Sequence, residues 1–299
     1  MELKLVHTST KDDLRLAGLL YTGEVKSTCA AIYIHGFTSD FFSFPFPLKI
    51  ASDLSRSGVA TVVAQTRGTG LHMEFLRTSM LESTYIGSYH EIIEEAYLDI
   101  DAWIEALQKQ GYNEFVLVGH SYGTHKVVRY LYEGTYQASV KKLVLLGPFD
   151  KNAYVQKKSG DAWPQQVIEA EKKIADGKGK EIIPNTFDDY PMTMNTFHSW
   201  YKPGKLNEIW DFYRMDTYDF PVWKELSLPI QVITGTDDEA FDFPEFYSKE
   251  AVYEKMRELF SSGEVVVLTG SGHCFVGYED EVAAKITTFV QSYSQQPQQ

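Results

Sequence analysis

Six apolar runs of strand length, set apart by stretches with helical spacing, recur along this chain, and few architectures accommodate that alternation. They are Ala30–Ile34 (AAIYI), Val59–Ala64 (VATVVA), Phe115–Val118 (FVLV), Lys142–Leu146 (KLVLL), Ile230–Thr234 (IQVIT) and Val265–Leu268 (VVVL). Buried strands alternating with amphipathic helices build a mostly parallel sheet covered by helices on both faces, so an α/β fold is predicted. Helices are predicted over Leu48–Ser57, Glu91–Gln110 and Tyr122–Tyr132, and again between Phe246 and Phe260 and between Glu279 and Tyr293. In the second of these Ile92, Ala96, Ile100, Trp103, Ile104 and Leu107 recur at spacings of three and four. Leu3–Val6 and Leu14–Tyr21, joined by a short turn-bearing segment, are predicted as antiparallel edge strands.

The alternation breaks once, between Gly147 and Pro229. Residues 148–228 are read as an inserted helical lid between a first core portion (1–147) and a second (229–293), with 294–299 (SQQPQQ) as a flexible tail. The insertion holds four of the five tryptophans, Trp163, Trp200, Trp210 and Trp223. Some of its aromatics are needed to pack it onto the main body, and others are expected to line a ligand pocket. Trp200, Phe197 and Trp210 are the candidates for contact with substrate.

Charge and cysteine content narrow the partners. The 28 Lys and Arg stand against 41 Asp and Glu, a net charge of -13 that repels phosphate backbones and anionic lipid. Neither nucleic acid nor membrane is expected as a partner. Only Cys29 and Cys274 are present, too few for a disulfide framework, and MELKLVHTST carries no basic and apolar leader. No run reaches the ~18 apolar residues of a membrane span, so a cytoplasmic location is expected. The histidines are scattered, apart from any metal-ligand spacing, and no glycine-rich phosphate loop with a following lysine occurs. No metal or cofactor is therefore expected. The oligomeric state, monomer or homodimer, stays open.

The chemistry concentrates at Val116–Gly123, VLVGHSYG, where a buried strand runs into G-x-S-x-G and then into helix-like sequence. The flanking glycines permit a turn too sharp for bulky neighbours, presenting Ser121 at the carboxyl end of the sheet. Serine is a poor nucleophile at neutral pH, so the motif demands a base and an orienting acid later in the chain. His273 follows the last strand between glycine and cysteine in GSGHC and is the candidate base. Asp237, Asp238, Glu239 and Asp242 crowd the loop after IQVIT and are the candidate acids. The oxyanion of an acyl transfer needs two donors. The backbone N–H of Tyr122, at the helix start, is one; the N–H of Phe37, in the HGF loop after the first central strand, is expected to be the other. His35 is read as bracing that loop, Arg67 as a structural ion-pair partner and Cys274 as a packing residue.

HGF at 35–37, GHSYG at 119–123, GTDD at 235–238 and SGH at 271–273 together resemble the α/β-hydrolase superfamily, in order and strand context, over nearly the whole chain. The resemblance implies a serine hydrolase with Ser121, Asp238 and His273 as its triad, because relatives place the acid three residues beyond the glycine that ends this strand. Asp237 is the second choice and Asp150, past the preceding strand, the third. LAGLLY, QTRG and VVRYL are similar to an uncharacterised group that includes fungal siderophore esterases, and HGFT to bacterial cinnamoyl esterases. The implied activity is hydrolysis of a small carboxylic ester with an apolar or aromatic portion. The same triad serves thioesterases, amidases, peptidases and acyltransferases, and some hormone receptors keep the fold for binding alone. Epoxide hydrolases and dehalogenases are disfavoured, since they carry a carboxylate where this chain has Ser121.

Overall fold

In the computed structural model, which describes residues 1–24, 27–187, 190–261 and 263–292, the alternation resolves into one eight-stranded sheet. The tail expected at 294–299 lies outside the described residues. The chain runs β1 (Glu2–Ser9), β2 (Arg15–Thr22), β3 (Cys29–Ile34), α1 (Pro45–Arg56) and β4 (Ala60–Ala64). A small antiparallel pair, β5 (Glu74–Leu76) and β6 (Ser83–Tyr85), precedes α2 (Ala96–Gln108), β7 (Glu114–His120), α3 (Tyr122–Glu133) and β8 (Val140–Leu146). Then come α4 (Lys151–Ser159), α5 (Trp163–Ala175), the pair β9 (Ile182–Phe187) and β10 (Tyr190–Thr193), α6 (Met194–Tyr201) and α7 (Pro221–Glu225). The core resumes with β11 (Ile230–Gly235), α8 (Lys249–Leu259), β12 (Glu264–Leu268) and α9 (Glu279–Ser292).

The sheet order is β1-β2-β4-β3-β7-β8-β11-β12. β1 pairs antiparallel to β2 and β2 to β4, and every other pairing is parallel. Of the two strands expected at the edge, β1 lies there and β2 lies inside it, while β12 forms the opposite edge. Alternation of side chains along each strand divides the core into two. Ala30, Ile32, Leu117, Leu143 and Leu145 face one way, against α2, α3 and residues of the inserted segment such as Trp200 and Trp210. Ala31, Tyr33, Val116, Val118 and Val144 face the other, against Phe46, Ile50 and Leu54 of α1 and Val282, Ile286 and Val290 of α9. Strands buried on both faces read as continuous apolar runs, which is why they were legible.

Two helices start where the period alone did not put them. Helix α1 begins at Pro45 rather than Leu48, since proline suits a first helical position whose N–H has no partner anyway. Helix α2 begins at Ala96, after a 3-10 turn at Ile93–Glu95, because the residues before it are engaged elsewhere. Glu91 is buried in an ion pair with Lys126, and Ile93 N–H donates to Ser199 Oγ at 3.0 Å. The parallel strands all end at the same edge. The loops after β3, β7, β8, β11 and β12 therefore converge there, where open α/β sheets keep their ligand crevice.

Candidate active site

Ser121 joins β7 to α3 with φ 54° and ψ -123°, a conformation that costs a non-glycine residue about 1–3 kcal/mol. The turn is held from the neighbouring strand, where Leu146 O accepts the Ser121 N–H at 2.8 Å. Close approach explains two glycines. A Cβ on Gly123 would lie 2.3 Å from Ile34 O, and one on Gly36 would lie 2.8 Å from Ser121 Cβ. The loop after β3 thus passes directly against the serine.

The acid loop and the histidine loop meet beside it. His273 Nδ1 donates to Asp238 Oδ1 at 2.9 Å. Asp238 is fully buried and also accepts Ala240 N–H on Oδ1 at 2.8 Å and the Thr234 hydroxyl on Oδ2 at 3.2 Å. Burial pulls the His273 pKa down, but the charge and hydrogen bond of Asp238 outweigh it and leave the imidazole raised above its ordinary value. For Asp238 burial works upward, and His273 more than offsets it, so the carboxyl ends below its ordinary range. His120 Nε2 donates to His273 O at 2.9 Å, and burial together with His273 pushes the His120 pKa down to about 3. Glu239 Oε2 accepts the His273 N–H at 3.4 Å.

The other carboxylates are engaged elsewhere. Asp237 is exposed and accepts from the Thr236 hydroxyl at 3.0 Å. Asp242 lies 3.9 Å from Lys249. Asp150 is buried as the cap of α4, accepting the N–H groups of Ala153 at 2.9 Å and Tyr213 at 2.8 Å and the Tyr247 hydroxyl at 3.3 Å. Burial, reinforced by Asp211, pushes the Asp150 carboxyl up to about 7.

The loop after β3 is braced from below. His35 Nδ1 donates to Gly36 O at 2.9 Å, and Nε2 accepts from the Thr69 and Thr66 hydroxyls at 2.8 and 3.0 Å. Burial, then the Lys126 charge, push this imidazole down to about 3, so the neutral ring makes these bonds. The Gly36 carbonyl belongs to the same planar peptide as the Phe37 N–H, and clamping one fixes the direction of the other. The Tyr122 N–H lies in the first turn of α3, where amides lack an intrahelical acceptor. Beneath them Lys126 and Glu91 form a buried ion pair at 2.7 Å. Arg67 is buried away from the serine, bonded to Asp99, Asp12 and Glu95.

Ser121 and His273 line one cleft of about 490 Å³, with Phe37, Thr38, Tyr122, Phe149, Tyr154, Tyr190 and Phe243 supplying most of its wall. The insertion residues expected to contact substrate, Phe197, Trp200 and Trp210, are not on that wall. All three are buried beneath it. Trp200 stacks on Tyr122 with ring centroids 3.9 Å apart and meets Phe37 edge-on at 4.9 Å. Trp210 Nε1 donates to Thr124 Oγ1 at 2.9 Å, and that hydroxyl donates to Ser121 O at 2.6 Å. Phe197 packs against Tyr201 at 4.9 Å. Their bulk anchors the insertion, which is why they lack a face for a ligand. Phe149 and Phe243 escaped the sequence reading although a signal existed, since Phe149 stands just past the carboxyl end of β8 and Phe243 in the loop that follows β11.

A strained serine at a strand-to-helix turn, over a mostly parallel sheet with helices on both faces, defines a protein of the α/β-hydrolase class. The chain belongs to the alpha/beta hydrolase family, whose model matches residues 31–285. Solved structures share the fold. DcsB, in complex with its substrate analogue, has a TM-score of 0.67 at 16% identity, covering 99% of this chain and 100% of its own. The esterase Pf2001 of Pyrococcus furiosus has a TM-score of 0.58 at 17% identity, with 97% and 90% covered. Est1E of Butyrivibrio proteoclasticus, with ferulic acid bound, has a TM-score of 0.63 at 16% identity, with 97% and 100% covered. No curated protein sequence matches. Among the described residues no group of three or more His, Cys, Asp or Glu could hold a metal ion, and no helix is long and apolar enough to cross a membrane.

Proposed function

We propose that this protein is a serine hydrolase that cleaves a carboxylic ester through an acyl-enzyme intermediate. The observation that carries the reading is the Nδ1-to-Oδ1 bond of 2.9 Å between His273 and Asp238, on the wall of the cleft that also holds the strained Ser121. With Nδ1 committed to Asp238, Nε2 is the nitrogen left to take the Ser121 proton as Oγ attacks the ester carbonyl. The imidazolium so formed is stabilised by the Asp238 carboxylate, and the oxyanion by the N–H groups of Phe37 and Tyr122. Collapse expels the alcohol, which takes its proton from Nε2. Water, deprotonated by the same nitrogen, then attacks the acyl group and releases the acid.

Residues 148–228 act as a cap in this scheme, with Tyr154 and Tyr190 closing the cleft over the bond to be cleaved. The aromatic wall suits an apolar or aromatic acyl or alcohol portion. The ferulic acid of Est1E is an aromatic acid held in a related fold, and Pf2001 is an esterase. Two free cysteines are in keeping with a reducing, cytoplasmic setting. Labelling with a fluorophosphonate tests the proposal. Wild-type protein is expected to be modified at Ser121 and Ser121→Ala not at all; folded wild-type protein that resists the reagent and turns over no p-nitrophenyl ester overturns it.

A further inference from the structure

The cleft wall carries charge as well as aromatic surface, and those charges are unequally engaged. Lys157, Lys158, Glu239 and Asp242 all line it. Lys157 pairs with Glu245 at 3.2 Å, Asp242 lies 3.9 Å from Lys249, and Glu239 accepts the His273 N–H at 3.4 Å. Lys158 has no carboxylate within ion-pair distance among the described residues; its ammonium stands 5.7 Å from the centre of the Tyr154 ring, itself part of the wall. Both lysines occupy the last turn of α4, where any cation complements the helix dipole. That role does not require a place on the cleft wall. In a protein of net charge -13 an anion approaching most of the surface is repelled. The two carboxylates of the wall have partners of their own, which leaves the Lys158 ammonium as a local attraction for an anion.

We propose that Lys158, seconded by Lys157, forms an anion subsite of the cleft, and that the substrate is an ester whose apolar body ends in a carboxylate. The aromatic rings take the body, the ammonium of Lys158 takes the terminal charge, and the ester carbonyl lies between them at Ser121. This assignment rests on the ester-hydrolase reading for the bond that is cleaved, whereas the anion subsite stands on the charges of the wall alone.

Two esters with the same leaving group and acyl length test it: p-nitrophenyl hexanoate, which is neutral, and mono-p-nitrophenyl adipate, which ends in a carboxylate. The readout is the ratio of kcat/KM for the anionic over the neutral ester, in which losses common to both cancel. Lys158→Met is expected to lower that ratio about fivefold, as an exposed ion pair warrants, and Lys158→Glu to lower it further. Lys172→Met, on the exposed face of α5, leaves it unchanged, and raised salt lowers it in the wild type. A ratio that neither Lys158 variant moves overturns the proposal. Calorimetric binding of phenylbutyrate against phenylbutanamide reads the subsite without turnover, and so separates its failure from that of the ester reading. A preference for the acid that Lys158→Met abolishes supports it; equal binding, or a preference that survives, overturns it.

Discussion

Asp238 offers a sharper test than simple removal of a catalytic group, because its two oxygens have different neighbours. Oδ1 accepts from both His273 Nδ1 and the Ala240 backbone N–H, at 2.9 and 2.8 Å, while Oδ2 faces the Thr234 hydroxyl at 3.2 Å. In Asp238→Asn the Ala240 N–H, a donor that cannot reverse, holds the amide oxygen at the Oδ1 position. The amide nitrogen then faces the hydroxyl of Thr234, which can accept. His273 keeps its acceptor and its tautomer, so what is lost is the negative charge beside the developing imidazolium. A hydrogen bond to a charged group contributes about 1.5–3 kcal/mol, which converts to roughly 10- to 200-fold in kcat/KM. Asp238→Ala removes the acceptor as well and is expected to lose about 10⁴-fold. Initial rates on p-nitrophenyl butyrate, with circular dichroism to verify folding, give both numbers. The pH profile adds a sign. The Asp238 charge raises the His273 pKa, so the rise of kcat/KM with pH, which tracks loss of the imidazole proton, moves to lower pH in Asp238→Asn. An asparagine variant as inactive as the alanine one refutes the argument from Ala240. Near-wild-type activity in Asp238→Ala, or a larger loss in Asp237→Asn, removes Asp238 from the mechanism.

The strain at Ser121 predicts that Ser121→Gly is more stable than Ser121→Ala by about 1 kcal/mol in urea unfolding, strain relief exceeding the entropic cost of glycine; the reverse order would show the turn to be relaxed. Gly36→Ala puts a methyl 2.8 Å from Ser121 Cβ and 3.0 Å from His120 O, and should lower kcat about 100-fold with little change in melting temperature. Full activity there would mean that the loop yields freely. Lys126→Met strands the buried Glu91 charge and should cost about 3–5 kcal/mol, most of it recovered in Lys126→Met/Glu91→Met. Equal losses in the single and double variants would point to packing rather than charge. Trp210→Phe keeps an aromatic ring against Trp223, 4.6 Å away between centroids, but loses the bond to Thr124, and is expected to destabilise by about 1 kcal/mol while kcat stays within severalfold. A loss of kcat beyond tenfold without loss of stability would make the Trp210–Thr124 link a positioning contact.

The strands and the serine turn were legible because each obeys a local rule. A strand buried on both faces is apolar throughout, and a turn that must pass within van der Waals reach of Ile34 O tolerates only glycine at position 123. His273 was singled out as the base that a nucleophilic Ser121 would require, and it lies in hydrogen-bond contact with Asp238. Asp237 and Asp238 were harder to separate, since adjacent residues of one loop share every compositional property. What distinguishes them is side-chain direction: Asp238 turns inward onto Thr234 and His273, while Asp237 turns outward to Thr236 and solvent. That depends on the loop's dihedral angles, which no spacing rule encodes. The cleft wall failed for a related reason. An aromatic residue reads the same in sequence whether it lines a pocket or fills the core beneath it. Nothing in the insertion repeats with a period that would tell Tyr154 on the wall from Trp200 below it.

The burial of those tryptophans has a mechanical consequence. Trp200 stacks on Tyr122, the first residue of α3, and Trp210 reaches the Ser121 carbonyl through the Thr124 hydroxyl. The inserted segment is therefore joined to α3 and to the Ser121 turn before it, by a ring stack and a chain of two hydrogen bonds. Sliding its base would shift Ser121 against His273, a relation that the proposed mechanism needs held to within about half an ångström. Lys157, Lys158 and Tyr190, which line the cleft above that base, are by contrast exposed. The same division explains why so many aromatics sit in one segment without all touching a ligand. One set is buried against α3 beneath Ser121, and the other lines the cleft.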